Sequence, residues 1–427
     1  MALPLVFSLL ILLFLSVPVA FSLGLSAIIA MKMSGMTSML AVVQSMFANM
    51  DSFPLMAVPF FMLAGDLMQW SGISEKLINL AKTMVGHIRG GLGAVSVVTS
   101  MFFATLSGSS SATTASIGSI LIPAMEKEGY DKRFAAAICA SSGELGVIIP
   151  PSISMVIYGI AAGVSIADLF LAGFIPGILI GFTLIITVHI ISRIEGYGGS
   201  DTFTWKEKIR ITWEALPALV MPIIILGGIY GGIFTPTEAA VVAVAYAFLV
   251  GLINGQIKFN KVIDTFGKSG VSMSIILIIV GNAAGFAWVV TREQIPSQVA
   301  ELMIGLSASP IVFLLLTNLF LLVVGMFMET LASILIIAPV LAPIAIQYGI
   351  NPVHFGLIMV VNLAIGMLTP PVGVNLFVAC AIAKIRLDEI ISPLLKFLFI
   401  LIVDVLIISY IPQLSLWLPS LFGKGVY

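Results

Sequence analysis

The chain has 427 residues, of which 60% are hydrophobic and 9% are charged, and its formal net charge is −1. Charged residues make up about a quarter of an ordinary soluble chain. The composition therefore excludes a soluble globular protein and indicates an all-α protein that crosses a membrane several times. No basic cluster resembles a nucleic-acid patch, and the three histidines and two cysteines lie far apart in sequence. We therefore expect no nucleic-acid partner and no enzyme active site.

Apolar segments begin at the N-terminus. Residues 1–31 lack the basic start of a signal peptide, so we expect them to be retained in the membrane, with Pro18 as a point of division. The next segment is 52–70, and the others are 91–125, 133–166, 168–191, 214–232, 236–254, 269–290, 310–346, 353–383 and 393–420. The longest polar stretch, 192–213, is predicted to be a cytoplasmic linker that carries a short amphipathic helix over Trp205–Trp213.

The segment 91–125 has a polar centre, SGSSSATTAS (Ser107–Ser116), and contains no charged residue. Ten residues of only Ser, Thr, Gly and Ala are a poor place for a continuous membrane helix. We therefore predict a re-entrant hairpin of two half-length helices that meet at a polar tip. Non-helical backbone is tolerated at membrane depth only where protein or a water-filled cavity surrounds it, so the tip is expected to line a site.

Two double prolines predict two discontinuous helices. They lie in GELGVIIPPS (143–152) and AIGMLTPPVG (364–373), inside the segments 133–166 and 353–383. A double proline removes two backbone donors and disfavours helical geometry before it. A shift of 220 residues superimposes the two double prolines and also places Gly146 on Gly366. This constant register predicts a first repeat over 1–191 and a second over 214–420, with a second hairpin at 310–346.

The basic residues predict how the repeats are oriented. When the flanks of the first hairpin are placed in the cytoplasm, all but Lys32, Arg292 and Lys424 of the 19 basic residues also lie inside. The flanks of the second hairpin then lie on the far side, so the repeats are inverted, which is the architecture of secondary transporters. Residues 72–90 and 295–306 are expected to form interfacial arm helices that carry the hairpins.

The free helix ends at the tips and breaks predict ion and substrate sites. Carbonyl and hydroxyl oxygens suit Na⁺, and free N–H groups suit an anion. One predicted Na⁺ site consists of Ser107, Ser109, Ser110, Gly143, Gly146 and Ile149, and the second of Gly325, Thr330, Gly366 and Thr369. Gly108, Ser154 and Asn375 are the candidates for contact with substrate. For any single hydroxyl, a hydrogen bond to its own helix is an equally good interpretation.

Carboxylates in apolar segments are costly and are often functional, and the candidates are Asp66, Glu144, Glu238, Glu329 and Asp404. Glu144 and Glu329 lie in the first break and the second tip, where they either add charge to an ion site or bond freed backbone groups. Glu238 is better explained as the start of a helix, and Arg292 as a headgroup anchor. Asp404 has no predicted role.

Four strings together resemble one transporter family: SGSSSATTASIG, GELGVIIPPSI, FPLMAVPFFMLAGDLM and GGIYGGIFTPTEAA. They are similar to the large (M) membrane subunit of tripartite ATP-independent periplasmic (TRAP) transporters, DctM-like members of the ion transporter superfamily. The resemblance implies an elevator-type fold in which both hairpins and both broken helices move. It also implies Na⁺-driven uptake of organic acids, commonly C4-dicarboxylates or sialic acid, across a bacterial inner membrane. The expected partners are a small four-helix (Q-type) subunit, here a separate chain, and a periplasmic (P-type) substrate-binding protein.

Two functions therefore remain open at the level of sequence. The first is a Na⁺-coupled importer of an organic anion. The alternative is a standalone exchanger or channel that uses the same hairpins without a binding protein. Paired, oppositely oriented breaks favour the importer, because a channel does not require mobile inverted halves.

Overall fold

The computed structural model describes residues 2–33, 39–199, 203–255, 259–306, 309–371 and 373–422, and the regular secondary structure in these ranges is helical. Eight of the described helices are long and apolar enough to cross a membrane, which makes the chain a multi-pass membrane protein. In the first half the helices are Ala2–Phe14, Val19–Met33, Met39–Met50, a 3₁₀ turn at Phe53–Met56, Ala57–Trp70, Ile73–Val85, Gly91–Ser107, Ser110–Lys127, Lys132–Gly143, Leu145–Ile148, Ile153–Ala162 and Ile166–Glu195. In the second half they are Trp205–Tyr230, Pro236–Ile253, Phe259–Arg292, Ile295–Leu306, Pro310–Phe327, Thr330–Gln347, Pro352–Gly366, Val374–Ala383, Leu387–Tyr410 and Gln413–Phe422.

The first hairpin is broken at its tip, as the Ser-rich sequence predicts. Helix Gly91–Ser107 ends where Gly108 takes a φ of 61°, a left-handed conformation that favours glycine. Ser109 then caps helix Ser110–Lys127, accepting a hydrogen bond from the Ala112 N–H. The two helices have 17 and 18 residues, or about 26 Å each at the α-helical rise, so each is longer than half a membrane crossing.

The second hairpin is broken in the same way. Helix Pro310–Phe327 ends at Met328, whose backbone is extended, and Glu329 caps helix Thr330–Gln347. The Glu329 side chain accepts hydrogen bonds from the backbone N–H groups of Leu331 and Ala332. A carboxylate is a good cap because it satisfies free N–H groups at the positive end of the helix dipole.

Both double prolines interrupt helices. In the first half, the helical segments before and after Pro150–Pro151 are bent by 44° relative to each other. In the second half, Pro370–Pro371 lies between Pro352–Gly366 and Val374–Ala383. The peptide bond between the two prolines is cis in both breaks.

Corresponding helices of the two halves keep one register. Helices Ser110–Lys127 and Thr330–Gln347 begin and end 220 residues apart, and so do the caps of the helices that follow, Asp131 and Asn351. Ser109 and Glu329 cap the second helix of each hairpin at the same spacing. The spacing inferred from Gly and Pro in the sequence therefore extends to the helix ends.

The helices pack into two groups. The hairpins, the broken helices and the long helices Ile166–Glu195 and Leu387–Tyr410 contact one another extensively. Ala57–Trp70 packs mainly against Pro236–Ile253 and Phe259–Arg292, and the latter also holds Val19–Met33 and Met39–Met50. Helix Ile73–Val85 bridges the groups in the first half and Ile295–Leu306 does so in the second, which are the positions expected for the arms.

One expectation about helix bounds was wrong, one helix was not predicted, and one expectation was confirmed. The linker helix is not a separate element, because Trp205–Tyr230 is one continuous helix that opens with a Thr204–Glu207 capping box and runs through Trp213. The helix Met39–Met50 was not predicted. The N-terminal segment does divide around Pro18, giving Ala2–Phe14 and Val19–Met33. Lys424, placed outside by the topology argument, lies beyond the described residues.

Candidate functional site

One cavity of about 240 Å³ lies between the two hairpin tips. The first tip contributes residues 107–112 to its lining and the second tip contributes 329–331. Ser154 and Met367 come from the broken helices, and one face of Ala57–Trp70 also contributes to the lining. The fold therefore brings together polar segments more than 200 residues apart in sequence.

The first predicted Na⁺ site has its tip and break in direct contact. The Ser107 and Thr113 hydroxyls lie 2.9 Å apart, and the Thr113 hydroxyl donates to the Ser109 carbonyl at 2.8 Å. The Ile153 N–H donates to the Gly108 carbonyl at 3.4 Å, which joins the tip to the break. Gly146 packs against the Ser109 carbonyl so closely that a Cβ there would lie 2.9 Å from the carbonyl carbon. Ser107, Ser109 and Gly146 thus form one cluster.

The remaining members of this set lie around that cluster. Gly143 packs against the Thr114 side chain, and the buried Ser110 side chain lies beside the Glu144 carboxyl. Ile149 ends the short helix Leu145–Ile148, and its side chain packs against Gly177 of the helix Ile166–Glu195. Ile149 can therefore contribute to an ion site only through its backbone.

Residues of the second predicted Na⁺ site also lie near one another. Gly325 and Gly366 meet backbone to backbone, and a Cβ on Gly325 would lie 2.8 Å from the Gly366 Cα. The Thr330 hydroxyl lies 2.9 Å from the Met367 sulfur, and the Thr369 hydroxyl donates to the Ile365 carbonyl at 3.1 Å. Gly325, Thr330 and Gly366 therefore lie where the second hairpin meets the second break, whereas the Thr369 hydroxyl bonds within the break itself.

The three candidate substrate residues have different positions. Gly108 and Ser154 line the cavity, whereas Asn375 does not. Asn375 is fully buried, and its Nδ2 donates to Glu144 Oε1 at 2.5 Å. The preceding residue, Val374, lines the cavity, so the helical rotation of one residue directs Asn375 away from it.

Sequence reasoning named Asp66 as a candidate carboxylate without placing it in a site, and it did not identify Gln69. Both lie on Ala57–Trp70 and line the cavity, and Asp66 Oδ2 accepts a hydrogen bond from the Ser269 hydroxyl at 2.8 Å. A carboxylate in an apolar segment was a visible signal for Asp66. Gln69 gave no comparable signal, because its position depends on how separate segments pack.

The charged residues that line the cavity are acidic. Among the described residues, its lining contains Asp66 and Glu329 but no Lys, Arg or His. The Glu329 carboxylate is directed to backbone N–H groups at 3.1 and 3.4 Å, which supports the interpretation of this residue as a helix cap. Hydroxyls, carbonyls and carboxylates are the ligands of hard cations, so the lining suits a cation directly and an anion only together with one.

The profile of the family described as "Tripartite ATP-independent periplasmic transporter, DctM component" matches residues 6–414. The chain belongs to this family. It is thus a DctM-like large permease (M) subunit and a transporter rather than an enzyme.

Relatives within the DctM family match over nearly the full chain. The C4-dicarboxylate TRAP transporter large permease protein DctM of Vibrio cholerae is 42% identical, over 99% of this chain and 98% of the relative. The sialic acid TRAP transporter large permease protein SiaM of the same organism is 38% identical over 97% of both chains. The isethionate TRAP transporter permease protein DctMQ of Oleidesulfovibrio alaskensis is 42% identical over 94% of this chain, which spans 64% of that longer relative.

A solved structure has the same fold. The crystal structure of the Alcanivorax borkumensis YdaH transporter superimposes on this DctM family member with a TM-score of 0.65 and covers 90% of this chain and 89% of its own. The sequences are only 17% identical. This comparison therefore bears on the helical architecture alone.

Proposed function

We propose that this chain is the transport subunit of a Na⁺-coupled secondary transporter that imports an organic acid by elevator-type alternating access. The observation that carries the proposal is that two broken hairpins meet around one cavity. Its lining has hydroxyl, carbonyl and carboxylate groups, and no basic side chain among the described lining residues. An organic acid in such a cavity needs a positive partner, and bound Na⁺ supplies it.

Two Na⁺ sites are proposed at the contacts between each tip and its break. The first uses Ser107, Ser109 and the backbone around Gly146, and the second uses Thr330, Thr369 and the backbone at the Gly325–Gly366 contact. Each contact combines hydroxyl groups with helix ends, where backbone carbonyls lack intrahelical partners.

The substrate is proposed to bind in the cavity near Gly108 and Ser154. Helix Ser110–Lys127 begins there, and the positive end of its dipole attracts a carboxylate. Relatives named for C4-dicarboxylates and for sialic acid are 42% and 38% identical, so both classes of acid are candidates for this chain.

The proposed partners follow from the TRAP system named for the relatives. A periplasmic (P-type) binding protein delivers the acid, and a small four-helix (Q-type) membrane subunit completes the permease in the bacterial inner membrane. A relative named as a DctMQ permease protein, longer than this chain, supports the second partner.

The equal 220-residue spacing of helix ends and caps supports inverted repeats, and the two packed groups of helices support an elevator. In this proposal the group that holds both hairpins moves past Ala57–Trp70, and the bridging helices Ile73–Val85 and Ile295–Leu306 act as arms.

The proposal is tested by uptake into liposomes that contain this chain with its small subunit and the purified binding protein. Radiolabelled succinate and sialic acid are supplied with an inward Na⁺ gradient or with choline in place of Na⁺. We expect accumulation of one acid against its gradient only with Na⁺ and only with the binding protein. Equal uptake in choline contradicts Na⁺ coupling, and flux without the binding protein supports a standalone exchanger or channel instead.

A further inference from the structure

Glu144 and Asn375 form a polar pair inside the protein that links the two halves of the chain. Both side chains have 0% exposure, and the Asn375 amide nitrogen donates to Glu144 Oε1. Glu144 belongs to the first break, between Lys132–Gly143 and Leu145–Ile148, and Asn375 belongs to the start of Val374–Ala383 after the second break. The pair has no counterpart at the 220-residue spacing, where Ala364 and Met155 occupy the matching positions.

Two oxygen atoms of this pair have no partner. Glu144 Oε2 and Asn375 Oδ1 are both buried, and neither receives a hydrogen bond from any described residue. The Thr114 hydroxyl, which lies against Gly143, is also buried and unpartnered. Buried polar atoms in proteins are nearly always bonded, so several such oxygens in one neighbourhood indicate a group that they bind.

An ionised Glu144 would also lack a charged counterpart. No Lys, Arg or His among the described residues forms an ion pair with it. A buried charge is strongly unfavourable unless it is compensated, and Asn375 and Ser110 offer only neutral dipoles. One carboxylate is neutralised by one monovalent cation, whereas a divalent cation would leave an excess positive charge in the interior.

We propose that Glu144, Asn375 and Ser110 bind a monovalent cation, Na⁺ in the transport cycle, at a site separate from the two tip–break contacts. The Glu144 carboxylate supplies the charge, and the Asn375 amide turns by about half a rotation so that Oδ1 rather than Nδ2 faces the ion. The site takes ligands from both halves, so its occupancy couples the first break to the second.

This inference rests on the proposed Na⁺-coupled function, but the experiment can contradict the Glu144 site while the proposed function stands. The permease with its small subunit is purified in detergent, and radioactive Na⁺ bound per chain is counted at constant ionic strength with choline as the replacement. The Na⁺ dependence of the thermal unfolding midpoint, Tm, is measured on the same samples. No bound Na⁺ in the natural protein contradicts both the proposed function and this site.

We expect Glu144→Gln to bind one Na⁺ fewer per chain than the natural protein, and Glu144→Asp to retain the full number. Asn375→Ala keeps the charge and removes one ligand, so it raises the Na⁺ concentration for half-maximal Tm shift by about tenfold. It also serves as the test if Glu144→Gln does not fold. Asp404→Asn is the matched control, because Asp404 is another buried carboxyl, bonded by the Thr183 hydroxyl at 2.6 Å.

An unchanged Na⁺ count in Glu144→Gln, with a natural protein that binds Na⁺, overturns the site while the proposed function stands. An unchanged half-maximal Na⁺ concentration in Asn375→Ala also overturns it. Equal loss of one Na⁺ in Asp404→Asn contradicts the site as well, because the effect is then common to buried carboxyls.

Discussion

Gly146 is one of the residues at which the first tip and the first break touch. Its Cα faces the Ser109 carbonyl, which belongs to the backbone and cannot rotate aside as a side chain can. Gly366, at the same position of the second half, meets Gly325 with equally little space. Small residues at these points let two polar backbone segments approach each other, which is what an ion site built from carbonyls requires.

Replacement of Gly146 by alanine is expected to separate the tip from the break. The added Cβ overlaps the Ser109 carbonyl, and overpacking of this kind costs about 1–3 kcal/mol. We expect a lower Tm and a higher Na⁺ concentration for half-maximal uptake. Gly227→Ala is the matched control, because no atom lies within 4 Å of a Cβ at that helical glycine. A Na⁺ dependence in Gly146→Ala equal to that of the control contradicts an ion site at this contact.

The candidate site was predictable in part from single residues. The Ser-rich tip and the two double prolines are local signals, and they led to Gly108 and Ser154, which line one cavity, and to Gly325 and Gly366, which touch. Asn375 was predicted to contact substrate as a polar residue close to the second break. The direction of its side chain depends on packing against Glu144, 231 residues away, which no local pattern contains.

At the scale of elements, helix caps define where each half breaks. Ser109, Asp131, Glu329 and Asn351 each accept hydrogen bonds from free N–H groups at a helix start. Caps are short-range features, which is why the sequence placed the hairpins and breaks within a few residues. The sequence did not predict the helix Met39–Met50, which is short and lies between polar residues. It predicted the two parts of Trp205–Tyr230 but not their continuity, because the first part is polar and the second is apolar.

Asp131 offers a test of the cap on the first broken helix. Its carboxylate accepts from the Arg133 N–H at 2.8 Å, and the Arg133 side chain holds the pKa of Asp131 below its ordinary value. We expect Asp131→Ala to destabilise the protein by about 0.5–2 kcal/mol, measured as a lower Tm. Asp131→Asn should be much milder, because Asn351 caps the corresponding helix of the second half through its own side-chain oxygen.

The lowered pKa of Asp131 predicts how its contribution to stability depends on pH. A carboxyl whose pKa is lowered in the folded protein stabilises it above the unfolded pKa, near 3.8, and the effect is lost as the pH falls through the lowered folded value. The Tm difference between the natural protein and Asp131→Ala should therefore be constant at neutral pH and shrink only in strong acid. Equal Tm values for Asp131→Ala and Asp131→Asn at neutral pH contradict the role as a cap.

At the scale of the whole molecule, the cavity lies at the boundary between two packed groups of helices. The tips belong to one group and Ala57–Trp70, with Asp66 and Gln69, to the other. Gly65 lies against this boundary, where a Cβ would be 3.1 Å from the Leu106 carbonyl. Because both groups of helices contribute polar residues to this one cavity, movement of one group relative to the other would open or close the cavity.

A covalent link across this boundary tests whether the bodies move. In a background with the buried Cys139 and Cys380 replaced by alanine, Gln69→Cys and Ser111→Cys place two thiols in the lining of the same cavity, one from each group of helices. A short bifunctional thiol reagent should join them and stop Na⁺-driven uptake, because an elevator must carry the tip past Ala57–Trp70. The control pair is Phe53→Cys with Thr237→Cys, which links two elements within the group that is expected not to move. These two residues already lie close together, because the Thr237 hydroxyl donates to the Phe53 carbonyl at 3.1 Å. Mass spectrometry shows whether the two thiols are linked across the cavity. Full uptake by the linked protein contradicts the elevator. Equal inhibition by the Phe53–Thr237 link shows that the block is not specific to this boundary.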